Sequence, residues 1–366
     1  MTVAAWTVLV SASLLAYAYL VYPLLVLLLA RLFPRPVRAG DAAPSATVIV
    51  PALNEERVIE EKIENTLALD YPPGKVQLLV VSDGSTDRTA ELARRYAGRG
   101  VEVVEFPERR GKLAALLDAL PRARGEILVF SDASGMLRPG ALRAMAANFA
   151  EPALGGVCGW YRSPGLERSG GAGELLFWDY EFAIKRAQSR WATLLGATGA
   201  MYALRRSLFV APTPDTINDD FVIPALMVAR GHRMVLEEDA VVDDLDPRMG
   251  DFRSRVRVTA GNWQQLFYCR KLLSLRRPRV CWQFLSHKIL RLASPFLLLA
   301  LCLSALVRAP AAAAAVFLAA AALALIRGTG PGGKLSSAAR KFLAGNAAAL
   351  CGTAVYFTRG GRLSWK

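Results

Sequence analysis

The stretch TVIVPALNEE, residues 47–56, decides the fold, because an apolar run ends in polar residues and a helical pattern follows the run from Glu55 to Leu69. Three further candidate strands, at 76–81, 101–106 and 127–130, are each followed by a helical stretch in the same way. Short apolar runs that alternate with helices are typical of βαβ units and of a mainly parallel sheet. The sequence therefore predicts an α/β fold for the middle of the chain.

Polar residues follow each of the predicted strands. Ligands of a parallel sheet bind at the carboxyl ends of its strands, so we expect these residues to converge on one edge. The third group, RRGK, suits a diphosphate because it offers cations and free backbone N–H groups at a helix N-terminus. No GxGxxG follows the first strand, so a dinucleotide-binding fold has no support. The four groups are Asn54 with Glu55, residues 83–87, residues 109–112 and residues 132–134.

Each group also has a purely structural interpretation. Asp83 and Gly84 suit a turn whose next residues cap a helix. Asp219 and Asp220 stand at the start of an apolar helix, where acidic side chains stabilise the positive end of the helix dipole. The joint occurrence of the polar groups at consecutive strand ends is harder to explain by turns, and it favours a binding site.

Both ends of the chain carry long apolar runs, and the hydrophobic content is 53%. Residues 1–30 contain no charge, and a membrane-spanning helix needs about 20 apolar residues, so this run predicts a retained span. The runs at 288–307 and 309–327 predict a helical hairpin. The segment Phe342 to Phe357 is interrupted by glycine and asparagine. Its sequence leaves three placements open: it spans the membrane, re-enters it or lies flat on its surface.

The net charge of +14 is concentrated beside these apolar runs. Ten Lys or Arg and one acid lie between Asp251 and Arg291, interleaved with aromatic residues, which is typical of a cytoplasmic interfacial segment. No nucleic-acid-binding module accompanies the charge, so no nucleic-acid partner is expected. Arg31, Arg35 and Arg38 place the middle region on the cytoplasmic side. Five unpaired cysteines and two histidines favour a reducing compartment and make a zinc site improbable.

The motifs, taken together, resemble those of the family 2 glycosyltransferases. The resemblance covers roughly residues 46 to 270 and implies the GT-A fold, a single α/β domain with a mixed, mainly parallel sheet, here with transmembrane helices at both ends. The motifs that carry the resemblance are VIVPALNEE (48–56), VVSDGSTDRT (80–89), RRGKLAAL (109–116), FSDAS (130–134), TGAMYALRRSLF (198–209) and INDDFVIPALMVARGHRM (217–234).

The resemblance implies roles for the polar residues at the strand ends. Asp132 takes the first position of the motif that binds Mg²⁺ or Mn²⁺ at the diphosphate, and Ser134 stands where a second acid is often found. Hard cations prefer carboxylate and phosphate oxygens, so we expect the metal to bind mainly together with the nucleotide. The nucleotide-binding residues implied are Pro51, Asn54, Glu55, Asp83, Lys112 and Asp132, with Asp83 at the uracil and ribose.

The resemblance also implies a catalytic pair, in which Asp220 is the general base and Asp219 supports the acceptor or the base. Gly199 lies in the acceptor-side segment. Processive members carry Q-x-x-R-W on an interfacial helix, whereas this chain reads GNWQQLFYCR at 261–270. Trp263, Gln264 and Gln265 are candidates for an acceptor or gating role, and a membrane-interface anchor is an equally good interpretation of the tryptophan.

The resulting hypothesis is an inverting, metal-dependent glycosyltransferase of the inner (cytoplasmic) membrane. It moves a sugar from a UDP-sugar to a hydroxyl of a lipid-linked or glycolipid acceptor in cell-envelope glycan or exopolysaccharide synthesis. One alternative is a polyprenyl-phosphate sugar transferase, whose ionised acceptor needs no base. The other is a non-catalytic nucleotide-sugar-binding scaffold of a polysaccharide export system. The predicted segments are a first span (1–30), a linker (31–45), the cytoplasmic domain (46–250), a basic interfacial segment (251–287), the hairpin (288–327) and a third span or interfacial helix with the tail (328–366).

Overall fold

The computed structural model of the protein describes residues 2–164, 172–245, 252–311 and 331–359. Its centre is a sheet of eight strands. They are β1 (Ala46–Ala52), β2 (Val76–Asp83), β3 (Val101–Phe106), β4 (Ile127–Phe130), β5 (Gly135–Leu137), β6 (Leu154–Arg162), β7 (Tyr202–Arg205) and β8 (Arg233–Asp244). Their spatial order is β3-β2-β1-β4-β7-β6-β8-β5.

The sheet is mixed and mainly parallel, as the sequence predicts. β3, β2, β1 and β4 run parallel, and β7 lies antiparallel to both β4 and β6. β8 is parallel to β6 and antiparallel to β5. The predicted fold class is therefore confirmed, and the carboxyl ends of β1, β2, β3 and β4 share one edge of the sheet.

Helices cover both faces of this sheet. Because strand side chains alternate between faces, Val48 and Val50 pack in one apolar cluster and Ile49 in the other. The helices are α1 (Val3–Leu32), α2 (Ile59–Leu67), α3 (Thr89–Arg94), α4 (Lys112–Ala119), α5 (Ala141–Ala147), α6 (Ala172–Trp191), α7 (Asp219–Ala229), α8 (Phe252–Tyr268), α9 (Pro278–Arg308) and α10 (Pro331–Arg359).

Helix α2 begins later than the sequence pattern predicts. The helical pattern starts at Glu55, but the first helical residue is Ile59. The backbone N–H of Glu55 donates to Thr89 Oγ1 at 2.8 Å, and that of Glu56 donates to Asp87 Oδ2 at 3.1 Å. These turn residues therefore bind the loop after β2 and do not extend the helix.

Two helices of the described chain, α1 and α9, are long and apolar enough to cross a membrane. They pack antiparallel, since Tyr17 Oη lies 2.9 Å from Ser286 Oγ and Arg308 donates to Thr2 near the other ends of the helices. Helix α9 begins at Pro278, ten residues before the predicted start of the hairpin. Most of the predicted second half of that hairpin, 309–327, lies outside the described residues.

The segment from Phe342 to Phe357 belongs to α10, which packs along α8. The indole N–H of Trp263 on α8 donates to Thr353 Oγ1 at 2.8 Å. Within the described ranges, α10 is not among the helices that meet the length and hydropathy of a membrane span. The five cysteines are all unpaired thiols.

Candidate active site

The loop after β1 is joined to the loop after β2 by Asn54. Its side-chain Oδ1 accepts the backbone N–H of Thr86 at 2.8 Å, and its own N–H donates to Ser85 Oγ at 3.2 Å. Asn54 adopts a left-handed conformation with φ 56°, which asparagine tolerates better than most residues. Pro51 lies within β1, opposite Val81 of β2. The predicted nucleotide-binding residues of these two loops are therefore neighbours.

Asp83, the last residue of β2, fixes the RRGK loop. Its buried carboxylate accepts the backbone N–H groups of Arg110 and Gly111, one on each oxygen and each at 2.8 Å. Gly84 follows with φ 67°, and a Cβ on it would lie 2.4 Å from the backbone nitrogen of Arg109. The turn therefore needs glycine both for its backbone conformation and for the close approach of the third loop.

A pair of glycine substitutions separates these two requirements. Gly74 has a similar φ of 75°, but nothing lies within 4 Å of a Cβ placed there. We expect Gly74→Ala to lower the free energy of unfolding by about 1–2 kcal/mol, the ordinary cost of an alanine in the left-handed conformation. Gly84→Ala is expected to lower it by about 4 kcal/mol, because its Cβ would also clash with the backbone of the third loop. Thermal melting of both variants in detergent checks this, and equal melting temperatures would contradict the close packing of the loops.

Lys112, the first residue of α4, bridges the strand-end carboxylate to α7. Its Nζ lies 2.7 Å from Asp132 Oδ1 and 3.6 Å from Asp219 Oδ2. Burial alone would lower the pKa of Lys112, but Asp132 and Asp219 outweigh it and raise that pKa above its ordinary value. The lysine is therefore a permanent cation at the centre of the polar edge.

Asp219 and Asp220 form the first turn of α7, as the sequence predicts for an acidic pair at a helix start. The carbonyl of Asp220 accepts the N–H of Ala197 at 2.9 Å, which fixes the turn. Burial and the neighbouring charge of Asp219 raise the pKa of Asp220 to about 6, while Lys112 opposes the shift. A carboxylate with a pKa near 6 is ionised at neutral pH and basic enough to accept a proton.

Asp132 fits a divalent cation held jointly with a diphosphate. Its side chain is 40% exposed, and Lys112 Nζ contacts Oδ1. A Cβ on Gly199 would lie 2.9 Å from Oδ2, so glycine at that position keeps space beside this oxygen. In the described ranges no three His, Cys, Asp or Glu gather as a metal cluster, so the remaining ligands would be phosphate oxygens and water. The backbone of Ser134 is fixed by the N–H of Leu245, which donates to its carbonyl at 3.0 Å.

The candidate gating residues of α8 lie near the first turn of α7. Gln264 is buried; its Oε1 accepts the N–H of Ile217, and its Nε2 donates to the carbonyl of Asp215 at 2.9 Å. Gln264 therefore holds the loop that leads into α7. Trp263 packs against Phe357 of α10, and Gln265 is buried. The structure thus brings Gln264 to the loop before the acidic pair Asp219 and Asp220 and places Trp263 between helices.

Two residues near the site escape sequence reasoning. Tyr202 of β7 is buried and stacks on Phe130, and its hydroxyl has no hydrogen-bond partner. Burial and the nearby carboxylates, first Asp219, raise its pKa well above the ordinary value. Lys62 is buried beneath the loop that follows β4, where its Nζ donates to Ser131 Oγ at 2.7 Å. A lysine on the apolar face of α2 was the feature of the sequence that could have identified this residue.

The mixed sheet and its polar edge define the class, a glycosyltransferase domain of the GT-A type. Residues 47–210 match the family model described as Glycosyl transferase family 2. A poly-beta-1,6-N-acetyl-D-glucosamine synthase of Staphylococcus aureus (strain COL) is 28% identical over 237 residues, which cover 62% of this chain and 56% of the synthase. An N-acetylglucosaminyltransferase of Azorhizobium caulinodans is 28% identical over 223 residues, 56% of this chain and 55% of that protein. The chain thus matches little more than half the length of these relatives.

One solved structure resembles the whole chain. It is the mannosyltransferase PcManGT from Pyrobaculum calidifontis, in complex with GDP-Man and Mn²⁺. The TM-score is 0.74 at 27% identity, and the alignment covers 94% of this chain and 99% of that one. The likeness therefore extends beyond the sugar-transferase domain to the apolar helices at both ends.

Proposed function

We propose that the protein is a membrane-embedded, inverting glycosyltransferase that moves a sugar from a nucleoside diphosphate sugar to the hydroxyl of a membrane-associated acceptor. The observation that carries the proposal is the bridge that Lys112 makes between Asp132 and Asp219, beside Asp220. It sets a cation, a metal-binding carboxylate and a base of raised pKa at one sheet edge. A scaffold that only bound nucleotide sugar would have no need for the base.

Asp220 acts on the acceptor side of the transferred sugar, whereas Asp132 and Lys112 act on its diphosphate side. Asp220 takes the proton of the acceptor hydroxyl, whose oxygen attacks the anomeric carbon from the face opposite the diphosphate. The bond between that carbon and the diphosphate oxygen breaks, its electron pair leaves with the nucleoside diphosphate, and the anomeric configuration inverts. A bound Mg²⁺ or Mn²⁺ at Asp132 would supply positive charge to the leaving diphosphate. Lys112 adds a second positive charge, and the N–H groups fixed by Asp83 order its loop.

The donor follows from two lines of support. The motif resemblance favours a UDP-sugar, whereas the mannosyltransferase PcManGT was solved with GDP-Man and Mn²⁺. The test is a release assay in which the full chain in detergent receives lipid extract and a panel of UDP- and GDP-sugars with Mn²⁺. Release of UDP or GDP that requires lipid extract supports the proposal, and release from none of the donors contradicts it.

The membrane placement of the proposal rests on α1 and α9. Their exposed side chains are mostly apolar, including Leu24, Leu28, Leu299 and Leu303. We propose that both helices cross the inner membrane and that the sheet domain lies on the cytoplasmic side, where Arg31 and the basic residues before α9 would meet anionic lipid.

A second candidate, transfer to a lipid phosphate, is favoured by cations on the acceptor side. Lys288 Nζ lies 4.9 Å from the ring centre of Phe221, the residue after Asp220. The charge of Lys185 on α6 lowers the pKa of Asp220. Two lysines beside the acceptor would attract a phosphate, which is already ionised and needs no base. Under this mechanism, Asp220→Asn would keep its turnover.

The raised pKa of Asp220 predicts a pH dependence. A base accepts a proton only when it is ionised, so kcat/KM is expected to fall about tenfold per pH unit below the pKa of about 6 and to be level above it. Initial rates between pH 5 and 8, with stability checked at each pH, measure this limb. A flat profile across pH 6 would contradict the assignment of Asp220 as the base.

A further inference from the structure

A cleft lined by four arginines lies outside the candidate active site. Its volume is about 630 Å³, and its charged lining consists of Arg35, Arg233, Arg277 and Arg279 with one carboxylate, Glu151. The cleft sits at the start of β6 and β8, since Leu154 and Arg233 pair there and also line it. That edge of the sheet is opposite the edge that carries Asp83 and Asp132.

These guanidinium groups are anchored by backbone carbonyls, not by carboxylates. Arg277 Nη1 donates to the carbonyl of Val228 at 2.7 Å, and Arg233 Nη2 donates to that of Ser189 at 2.6 Å. Arg279 lies over the ring of Trp191, with its Cζ 5.3 Å from the ring centre. Within the described part of the chain, none of the four arginines has an ion pair to a carboxylate. The guanidinium groups of Arg233, Arg277 and Arg279 are therefore held in place without a carboxylate partner among the residues that the structure describes.

Arg233 carries a buried donor that no protein group of the described residues satisfies. Its Nε is buried and has no hydrogen-bond partner, although a buried polar atom normally has one. Burial, followed by the neighbouring charge of Arg35, lowers the pKa of Arg233 to about 10. An anion in the cleft would supply both the missing acceptor and the missing negative charge.

The position of the cleft indicates the source of the anion. The exposed apolar residues of α1 continue to Leu32 and Phe33, and Arg35 follows two residues later. Helix α9 begins at Pro278, so Arg279 lies in its first turn. Both long apolar helices therefore meet the folded domain at the cleft, which is the level of the lipid headgroups if they cross the membrane.

We propose that this arginine cleft binds the phosphate of an anionic membrane lipid and thereby fixes the sheet domain against the membrane surface. Guanidinium groups suit this ligand because their planar donors match phosphate oxygens. The inference rests on the membrane placement in the proposed function, but it concerns a site remote from the sugar-transfer chemistry. Lipid binding is measured without any sugar donor, so its failure and the failure of the transferase proposal are distinguishable.

The test uses the full chain in nonionic detergent and counts retained phosphatidylglycerol by native mass spectrometry. The variant Arg35→Gln/Arg279→Gln removes two exposed cleft cations. The control Arg122→Gln/Arg124→Gln removes two exposed cations from the loop before β4, which is not part of the cleft lining. We expect the cleft variant to hold phosphatidylglycerol about 30-fold more weakly, from two basic side chains near an anionic lipid. The control variant is expected to retain phosphatidylglycerol as strongly as the unmodified chain does.

Equal retention by the cleft variant and the control would overturn the proposal. Displacement of the lipid by inorganic phosphate at the same concentration would also overturn it, because the site would then take free phosphate and not a headgroup. A photoactivatable phosphatidylglycerol on the unmodified chain gives an independent result if the variant fails to fold. Labelling at 35–36 and 277–280 supports the cleft, and labelling confined to other segments contradicts it.

Discussion

Replacing Asp220 by asparagine is expected to lower sugar transfer by about 10²–10⁴-fold, the usual contribution of a general base. Asparagine keeps the size and polarity of the side chain in the first turn of α7, but it cannot accept the proton of the acceptor hydroxyl. Donor binding should stay near normal, because the predicted nucleotide-binding residues Asp83, Lys112 and Asp132 lie on other elements. Initial transfer rates and calorimetric binding of the donor measure the two quantities separately.

Asp70→Asn is the matched control for this variant. Asp70 is an exposed acid whose partner, Arg143, lies on α5, away from the polar edge. The control should transfer sugar at the unmodified rate. Unmodified turnover in Asp220→Asn would remove the residue from the mechanism and favour transfer to a lipid phosphate.

Lys112→Gln is expected to lower the rate of sugar transfer about 10²-fold or more at pH 7. A loss of this size is typical when one preorganised electrostatic group is removed from an active site. Glutamine removes the cation that lies 2.7 Å from Asp132 and 3.6 Å from Asp219. Since Lys112 lowers the pKa of Asp220, its loss should also move the acid limb of the rate profile to higher pH. Rates measured from pH 5 to 9 give both effects.

The control for the lysine is Lys75→Gln. The Lys75 ammonium is exposed and donates to the carbonyl of Ala43, at the edge of the sheet opposite the site. This variant should change neither the rate nor the acid limb. A Lys112→Gln enzyme whose rate falls without a shift of the limb would show that the lysine does not act on Asp220.

The fold could be predicted from the sequence because each strand and helix is indicated by a short, continuous segment of the chain. Each of the four parallel strands is a short segment rich in apolar residues, and the polar residues that follow it mark the predicted ligand-binding edge. The partner of Asp83 was not readable. It depends on the pairing of β2 with β3, where Asp83 lies opposite Phe106 and the following loop reaches back to the carboxylate. That register is a tertiary property.

The boundary of α9 shows a second limit. The basic residues up to Arg279 indicate an interfacial segment over 251–287, so the sequence pattern starts the span at 288. In the structure Arg291 lies in the helix and pairs with Glu181 of α6, which compensates its charge. Trp263 and Gln264 show the same limit on α8: residue order places them near the site, but only packing shows that one faces α10 and the other faces the loop before α7.

The most direct test of the central claim is a calorimetric titration of Mn²⁺ into the full chain with and without UDP or GDP. One protein carboxylate makes a weak site, and the diphosphate oxygens complete it. We therefore expect weak Mn²⁺ binding to the nucleotide-free chain, clearly tighter binding with one of the two nucleotides, and loss of that gain in Asp132→Asn. Tight Mn²⁺ binding without nucleotide, or an unchanged gain in Asp132→Asn, would contradict the account.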